Sequence, residues 1–315
     1  MQYKMIAIDL DGTLLNDDGL VSPQNRSAIA KARDAGVLVV PCTGRCWLES
    51  AGAIEQMFGT RVERGSDRGG GGKMDSFNRT GVTEYDSGLH QPGVFVTGAS
   101  VCDVRSGIAL DLAAIGPQLT KRIVDALHDL PDAVLVFRDV DQVGHDYLIT
   151  GLGEMTPNTR WWFEQWDARV HHQEIVSHDA LDFSLRVGMV ANVGRMPQVV
   201  ERLQGAFDDE LFFHHFEAIK SPVVSECMHI LEIFAKGVDK WRGLSWLAQH
   251  HDFEPSQIAA IGDEINDVQM LKHAGCGVAM ESGINQVKDV ADRVAPGNND
   301  HGVAVAIEKM LAGAW

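Results

Sequence analysis

Short apolar runs alternate with segments of helical spacing over the first sixty residues. The run Met5–Ile8 predicts a buried strand, and residues 37–40 predict a second one. Between them, Ser22 followed by Pro23 is typical of a helix start, and another helix is expected at about 47–57. Strands that are apolar throughout, alternating with helices, indicate a parallel sheet covered by helices on both faces.

The same alternation returns near the C-terminus. Asp239 is placed to cap a helix, and Val268–His273 predicts another helix. Further elements are expected in this region, with strands at 258–261 and 277–280 and a helix at 303–311. The two ends of the chain are therefore predicted to form one α/β core, made of residues 1–112 and 235–315.

The middle of the chain, residues 113–234, mixes helices and strands of other lengths. Helices are expected at 120–130 and Met196–Phe207, with strands at 134–137, Tyr147–Thr150 and 183–189. This composition indicates an α+β domain inserted into the core. A polar stretch at 60–93 with four consecutive glycines fits neither domain and is interpreted as a surface loop.

Charge and composition limit the classes of partner. Lysine plus arginine number 27 against 44 aspartates and glutamates, which gives a net charge of −17 and argues against nucleic acid or an anionic membrane as partner. Neither a secretory signal nor an apolar stretch long enough to span a bilayer is recognisable. The five scattered cysteines do not suggest a disulfide framework, so a cytoplasmic location is expected. The sequence leaves the oligomeric state open.

Two segments near the N-terminus place polar residues where predicted strands end, which is where open α/β sheets carry their sites. Asp9 and Asp11 project to the same side of a strand end, so they require either a shared proton or a cation. Thr43, Gly44 and Arg45 offer a hydroxyl, an accessible amide and a cation for an oxyanion. Taken singly, each segment also fits an ordinary capping turn.

Two later segments add a cation and further oxygen ligands. Lys240 stands in the first turn of a helix, where its charge opposes the helix dipole, although Lys236 competes with it as a candidate. Asp263, Asn266 and Asp267 follow another predicted strand. Oxygen ligands without histidine or cysteine suit Mg²⁺ better than zinc.

In this order, the four segments resemble the motifs of haloacid dehalogenase (HAD) superfamily phosphatases of the Cof-type group. The motifs correspond to residues 9–15, 43–45, Lys240 and 262–267, and the match covers most of 1–59 and 228–311. The resemblance implies a HAD-like Rossmannoid α/β core with an inserted α+β cap domain. It also implies hydrolysis of a small-molecule phosphoester, with the cap supplying specificity. Two departures are the 60–93 insertion and Thr97-Gly98-Ala99, where the family usually carries Asn-Gly-Ala.

The resemblance further implies a role for each motif residue. Asp9 would be the nucleophile, and Asp11 would be the general acid and base. Mg²⁺ would be held by Asp9, Asp263, the backbone carbonyl of Asp11 and, through a water, Asp267. The phosphoryl group would be bound by Thr43, Gly44, Lys240 and Asn266, with Arg45 as a candidate substrate contact. A phosphosugar mutase shares both aspartates and stays open as an alternative, as does a non-catalytic phosphate sensor.

Overall fold

Two compact units make up the chain. This computed structural model describes residues 2–63, 85–207, 209–219 and 227–315. One unit contains residues 1–112 and 239–315, and the other contains 113–238. The second unit ends at Val238 and not at residue 234, because its strand Met228–Ala235 pairs along its length with other strands of that unit.

Fourteen strands and ten α-helices lie within the described residues. The strands are β1 Met5–Ile8, β2 Leu38–Pro41, β3 Pro92–Phe95, β4 Ser100–Asp103, β5 Ala109–Leu112, β6 Val134–Arg138, β7 Tyr147–Thr150, β8 Val170–His172, β9 Ser184–Asn192, β10 Leu211–Ile219, β11 Met228–Ala235, β12 Ile258–Gly262, β13 Cys276–Met280 and β14 Arg293–Ala295. The helices are α1 Pro23–Asp34, α2 Trp47–Phe58, α3 Pro117–Leu127, α4 Val140–Val143, α5 Pro157–Gln165, α6 Met196–Phe207, α7 Lys240–His250, α8 Val268–His273, α9 Asn285–Val290 and α10 Gly302–Leu311.

Five parallel strands form the main sheet of the first unit, in the order β14-β13-β12-β1-β2. Side chains that alternate along β1 enter different apolar clusters: Ile6 and Ile8 pack on one face, and Met5 and Ala7 pack on the other. The predicted parallel sheet covered on both faces is therefore confirmed. Strand β1 has β2 on one side and β12 on the other, so the order of strands along the chain switches at β1. Open α/β sheets bind ligands at such switch points, at the carboxyl ends of the strands.

Capping side chains set the starts of two helices of this unit. The Ser22 hydroxyl accepts a hydrogen bond from the Asn25 amide at 3.2 Å, which starts α1. The Asp239 carboxylate accepts from the Arg242 amide at 2.9 Å, which starts α7 and makes Lys240 its first residue. Both caps were predicted from the sequence.

A three-stranded antiparallel sheet, β3-β4-β5, also belongs to the first unit and was not predicted. Its first strand begins at Pro92, so the expected loop at 60–93 is wrong at its C-terminal end. The remainder of that expectation falls largely on residues 64–84, including the four glycines, and these lie outside the described residues. A parallel bridge between Cys42 and Val94 connects this sheet to the end of β2.

The second unit is built on a six-stranded sheet in the order β10-β11-β9-β6-β7-β8. All neighbouring strands are antiparallel except β7 and β8, so the expected α+β class is confirmed. Helices α3 and α6 contribute Ile123 and Leu203 to an apolar cluster with Val187 and Leu231 of the sheet. The helix expected at 120–130 begins earlier, because Pro117 occupies its first turn.

No helix in the described part of the chain combines the length and the apolar character needed to cross a membrane.

Candidate active site

The carboxyl ends of two paired strands bring Asp9 and Asp263 together. Ile8 at the end of β1 is the register partner of Ile261 in β12, and the Asp9 amide donates to the Ile261 carbonyl oxygen at 3.0 Å. Ligand oxygens of Asp9, Asp263 and Asp267 all lie within 4.8 Å of one another. The three carboxylates, predicted from two motifs far apart in the chain, therefore form one cluster.

Lys240 lies inside this cluster and is fully buried. Its Nζ donates to Asp9 Oδ1 at 2.6 Å and to Asp267 Oδ1 at 2.5 Å. The competing candidate Lys236 belongs to the second unit, where it pairs with the exposed Asp209. Of the two lysines that the sequence offered, Lys240 is the one at the carboxylate cluster.

Burial and charge together shift the pKa values of these groups. Burial raises the pKa of Asp9 well above its ordinary value, and Asp267 and Asp263 raise it further against the opposing effect of Lys240. Burial and Asp267 likewise raise the pKa of Asp263 to about 7. Burial opposes the charge of Lys240, but Asp267 and Asp9 more than offset this effect and raise its pKa. Burial and mutual repulsion therefore disfavour having all three carboxylates ionised around one lysine.

Asp267 is positioned by the backbone that precedes it. Its Oδ2 accepts hydrogen bonds from the amides of Asp263 at 2.9 Å and Glu264 at 3.0 Å. An added Cβ on Gly262 would lie 2.5 Å from Asp267 Cγ, so only glycine permits this approach. Asn266 is half-buried in the short turn Ile265–Asp267 that leads into α8.

The loop after β1 contacts Asp263. Gly12 has φ of 73°, and a Cβ there would lie 2.2 Å from Asp263 Oδ2. The Thr13 hydroxyl donates to Asp263 Oδ1 at 2.5 Å. Thr13 was not among the predicted site residues, although its place after Asp11 and Gly12 in the same polar segment was a usable signal.

Asp11 is held by Arg45. The guanidinium Nε donates to Asp11 Oδ2 at 2.7 Å, and Nη2 donates to Oδ1, so the pair is bidentate. Burial lowers the pKa of Arg45, but its bonds to Asp11 more than offset this effect and raise it. The sequence offered Arg45 as a candidate substrate contact, and in the structure its guanidinium donates to both oxygens of Asp11.

Thr43 and Gly44 lie at the end of β2. The Thr43 amide donates to the Val94 carbonyl oxygen at 2.9 Å, and its hydroxyl accepts from the Arg45 amide at 3.1 Å. Thr43 is buried and Gly44 is half-buried. The Thr43 hydroxyl retains its own proton to donate to an anion.

The cluster has the chemistry of a site for a hard divalent cation. Carboxylate oxygens from Asp9, Asp263 and Asp267 are the ligands that Mg²⁺ and Ca²⁺ prefer. A bound cation would offset the burial and the carboxylate repulsion that raise the pKa values of Asp9 and Asp263. The residues present therefore fit a divalent metal ion.

A comparison with known protein families identifies the family of the chain. The sequence profile of the haloacid dehalogenase-like hydrolases matches residues 6–59 and 80–307. The chain belongs to the haloacid dehalogenase-like hydrolases. Within this family, it is 28% identical to the 5-amino-6-(5-phospho-D-ribitylamino)uracil phosphatase YwtE of Bacillus subtilis, over 99% of each chain.

Solved structures of haloacid dehalogenase-like hydrolases share the fold of the whole chain. A haloacid dehalogenase-like hydrolase from Bacteroides thetaiotaomicron superposes with a TM-score of 0.68 at 20% identity, over 98% of this chain and 99% of that one. The HAD subclass IIB sugar phosphatase BT4131 superposes with a TM-score of 0.66 at 16% identity, over 98% of both chains. The comparisons thus confirm both the family and the fold that the sequence resemblance implied.

Proposed function

We propose that this haloacid dehalogenase-like hydrolase is a Mg²⁺-dependent phosphatase of small phosphorylated metabolites. The observation that carries the proposal is the buried contact of Lys240 with both Asp9 and Asp267, beside Asp263. A structural ion pair needs one carboxylate for one lysine. Three carboxylates around one lysine leave negative charge that a divalent cation would balance, and with that cation bound Asp9 could receive the phosphoryl group of a substrate.

Asp9 would act as the nucleophile. Its carboxylate attacks phosphorus, forming an Asp9–phosphate bond while the bond from phosphorus to the ester oxygen breaks. Asp11 donates a proton to the departing alkoxide. It then takes a proton from the water that attacks the aspartyl-phosphate, releasing inorganic phosphate and restoring Asp9. The exposed position of Asp11 supports this role, because water can reach its carboxyl group, which would leave its pair with Arg45 to carry the proton.

Positive and polar groups would stabilise the phosphoryl group during transfer. Lys240, the Thr43 hydroxyl, the Gly44 amide and the Asn266 amide are the candidates, since positioning and electrostatics supply most of the catalysis in phosphoryl transfer. Mg²⁺ bound by Asp9, Asp263 and the Asp11 carbonyl, and by Asp267 through water, would offset the repulsion between the carboxylates and the incoming phosphate.

Sugar or polyol phosphates are the proposed substrate class. Several relatives of this chain are named 5-amino-6-(5-phospho-D-ribitylamino)uracil phosphatases, and a structural neighbour is named a sugar phosphatase. Most of the negative charge of the chain lies in residues 113–234, which disfavours extended polyanions such as nucleic acids. A small phosphoester handled in the cytoplasm fits these observations.

The test is release of inorganic phosphate from a panel of phosphomonoesters, with and without Mg²⁺. The panel should include 5-amino-6-(5-phospho-D-ribitylamino)uracil and hexose phosphates. We expect Mg²⁺-dependent release by the wild type, a loss of about 1,000-fold or more in Asp9→Asn, and unchanged release by Asp18→Asn on the exposed loop nearby.

The outcomes separate the alternatives. Absence of Mg²⁺-dependent release from every ester would contradict the phosphatase assignment and favour a phosphate sensor. Rapid interconversion of hexose 1- and 6-phosphates with little phosphate released would instead identify a mutase.

A further inference from the structure

A left-handed turn of three residues follows β3 in the first unit. Val96 and Thr97 have φ of 51° and 53°, and Gly98 has φ of 91°. Left-handed backbone is uncommon for residues with a side chain, and it is a genuine outlier for β-branched ones such as valine and threonine. Both residues are buried, so the surrounding structure imposes this conformation.

The turn fixes the backbone of the loop that carries Thr43. The Thr97 amide donates to the Thr43 carbonyl oxygen at 3.1 Å, and the Val96 amide donates to the Arg45 carbonyl oxygen at 2.9 Å. The Thr43 amide donates in the other direction, to the Val94 carbonyl oxygen at 2.9 Å. The loop carrying Thr43 therefore donates a hydrogen bond to the segment 94–97 and accepts two from it.

The same turn lies against the start of α7, which carries Lys240. An added Cβ on Gly98 would lie 1.8 Å from the Asp239 carbonyl oxygen and 3.1 Å from the Lys240 amide nitrogen. Only a glycine allows two backbones to approach this closely. Arg242 links the turn to a further strand, since its Nη1 lies 3.5 Å from the Gly98 carbonyl oxygen and its guanidinium pairs with Asp111.

We propose that the turn 96–98 sets the placement of Thr43 relative to Lys240, and that Thr97 and Gly98 are positioning residues of the phosphoryl-binding site. The inference rests on the proposed function, because it assigns the turn to groups that would bind phosphoryl oxygens. Thr97 acts through its backbone. Its buried Oγ1 meets no hydrogen-bond partner among the described residues, so no contact of the hydroxyl explains the strained conformation.

Substitutions at the turn separate positioning from general stability. Gly98→Ala pushes a methyl group into the peptide between Asp239 and Lys240. Its matched control is Gly36→Ala, because Gly36 has a similar φ of 82° but nothing within 4 Å of an added Cβ. Thr97→Val keeps the β-branched shape without the hydroxyl. Thr97→Gly frees the backbone of the turn, whereas Thr97→Asn keeps a side chain that tolerates left-handed φ.

Two readouts are measured for each variant in Mg²⁺ buffer: kcat/KM for the best phosphomonoester, and the binding of orthovanadate by thermal shift. We expect Gly98→Ala to lose about tenfold or more in kcat/KM, and to bind vanadate correspondingly more weakly, because small displacements of catalytic groups are costly. Thr97→Gly should lose activity in the same direction. Gly36→Ala, Thr97→Val and Thr97→Asn should stay within about twofold of the wild type in both readouts.

The proposal is overturned if folded Gly98→Ala matches Gly36→Ala in both readouts. Should Gly98→Ala not fold, equal kcat/KM and vanadate binding in Thr97→Gly and Thr97→Asn overturn it instead. A large loss in Thr97→Val would also contradict it, because that result would make the hydroxyl a direct substrate contact. A wild type that releases no phosphate defeats the proposed function, while vanadate binding still compares the variants.

Discussion

The ammonium group of Lys240 donates to the Asp9 carboxylate at 2.6 Å, although the two residues are 231 positions apart in the chain. Asp9 follows the first strand of the sheet, and Lys240 begins a helix that returns after the whole second unit. Closing the first unit is therefore the step that pairs them. The same ammonium contacts Asp267, so the nucleophile proposed here, its counter-charge and a candidate metal ligand depend on one another.

Removing the charge of Lys240 should affect stability and activity together. Lys240→Met keeps most of the side-chain volume but leaves buried carboxylates unpaired, which should cost about 3–5 kcal/mol in the free energy of unfolding. Phosphate release should fall by about 100-fold or more. Lys236→Met is the control, because Lys236 is exposed and its ammonium group pairs with the exposed Asp209. Equal effects of the two substitutions, by urea unfolding and phosphate release, would contradict the role of Lys240.

Gly12 should be needed for metal binding because of its closeness to Asp263, and not only because of its backbone conformation. Gly12 and Gly19 both have φ of 73°, but only at Gly12 would an added Cβ meet the Asp263 carboxylate. Gly12→Ala and Gly19→Ala should each lose about 1–2 kcal/mol from left-handed strain. Only Gly12→Ala should also lose the rise in melting temperature that Mg²⁺ produces in the wild type. A full Mg²⁺ response in Gly12→Ala would refute the placement of the metal beside Asp263.

Arg45 should matter most for substrates with poor leaving groups. Its bidentate contact orients Asp11, and Asp11 is needed to protonate an alkoxide but not an activated aryl leaving group. Arg45→Gln should lower kcat for an alkyl phosphate by about tenfold or more, with a much smaller effect on an aryl phosphate. Arg45→Lys should behave like Arg45→Gln, since lysine lacks the planar fork. Equal losses on both esters would instead assign Arg45 to substrate binding.

A buried charge cluster should make the second unit sensitive to acid. Burial raises the pKa of Glu232, but Arg186 and His214 more than offset this effect and hold it below its ordinary value. Arg186 also donates to the Tyr147 hydroxyl at 2.7 Å. Because the folded-state pKa is depressed, the stabilisation is present above the unfolded pKa of about 4.3 and is lost as pH falls through the folded value.

The free energy of unfolding, measured by urea unfolding at pH values between 7 and 3, tests this assignment. Glu232→Gln should be less stable than the wild type at pH 7, by about 3 kcal/mol, because Arg186 then stays buried without its carboxylate. The difference should shrink as the pH falls below about 4. Glu217→Gln, on the neighbouring strand and exposed, should show neither effect. A difference between Glu232→Gln and the wild type that stays constant with pH would contradict the account.

Much of the first unit could be predicted because its signals are local. Apolar strands such as Met5–Ile8, and capping oxygens such as those of Ser22 and Asp239, act within a few residues of where they stand. Polar residues at strand ends could be assigned to one site for a related reason, since parallel strands place their carboxyl ends on the same edge.

The features that escaped prediction depend on distant partners. The contact of Arg45 with Asp11 was not predicted, because a guanidinium fits a carboxylate as well as a phosphate and residue type alone does not name its partner. Strand β10 has aromatic residues and histidines on successive positions and therefore lacks the alternation that marks a half-buried strand. The left-handed turn at Thr97 donates a hydrogen bond to the Thr43 carbonyl oxygen, a contact between distant segments that no local pattern reveals.

The most direct test of the central claim is identification of the phosphorylated residue. Asp11→Asn should react with an aryl phosphate in Mg²⁺ buffer, since this leaving group needs no proton, but it should hydrolyse the intermediate slowly because the base is missing. Quenching, borohydride reduction and peptide mass spectrometry should then find the reduced residue at position 9. A burst of the aryl alcohol with Asp9 unmodified, or with the label on another residue, would contradict nucleophilic catalysis by Asp9.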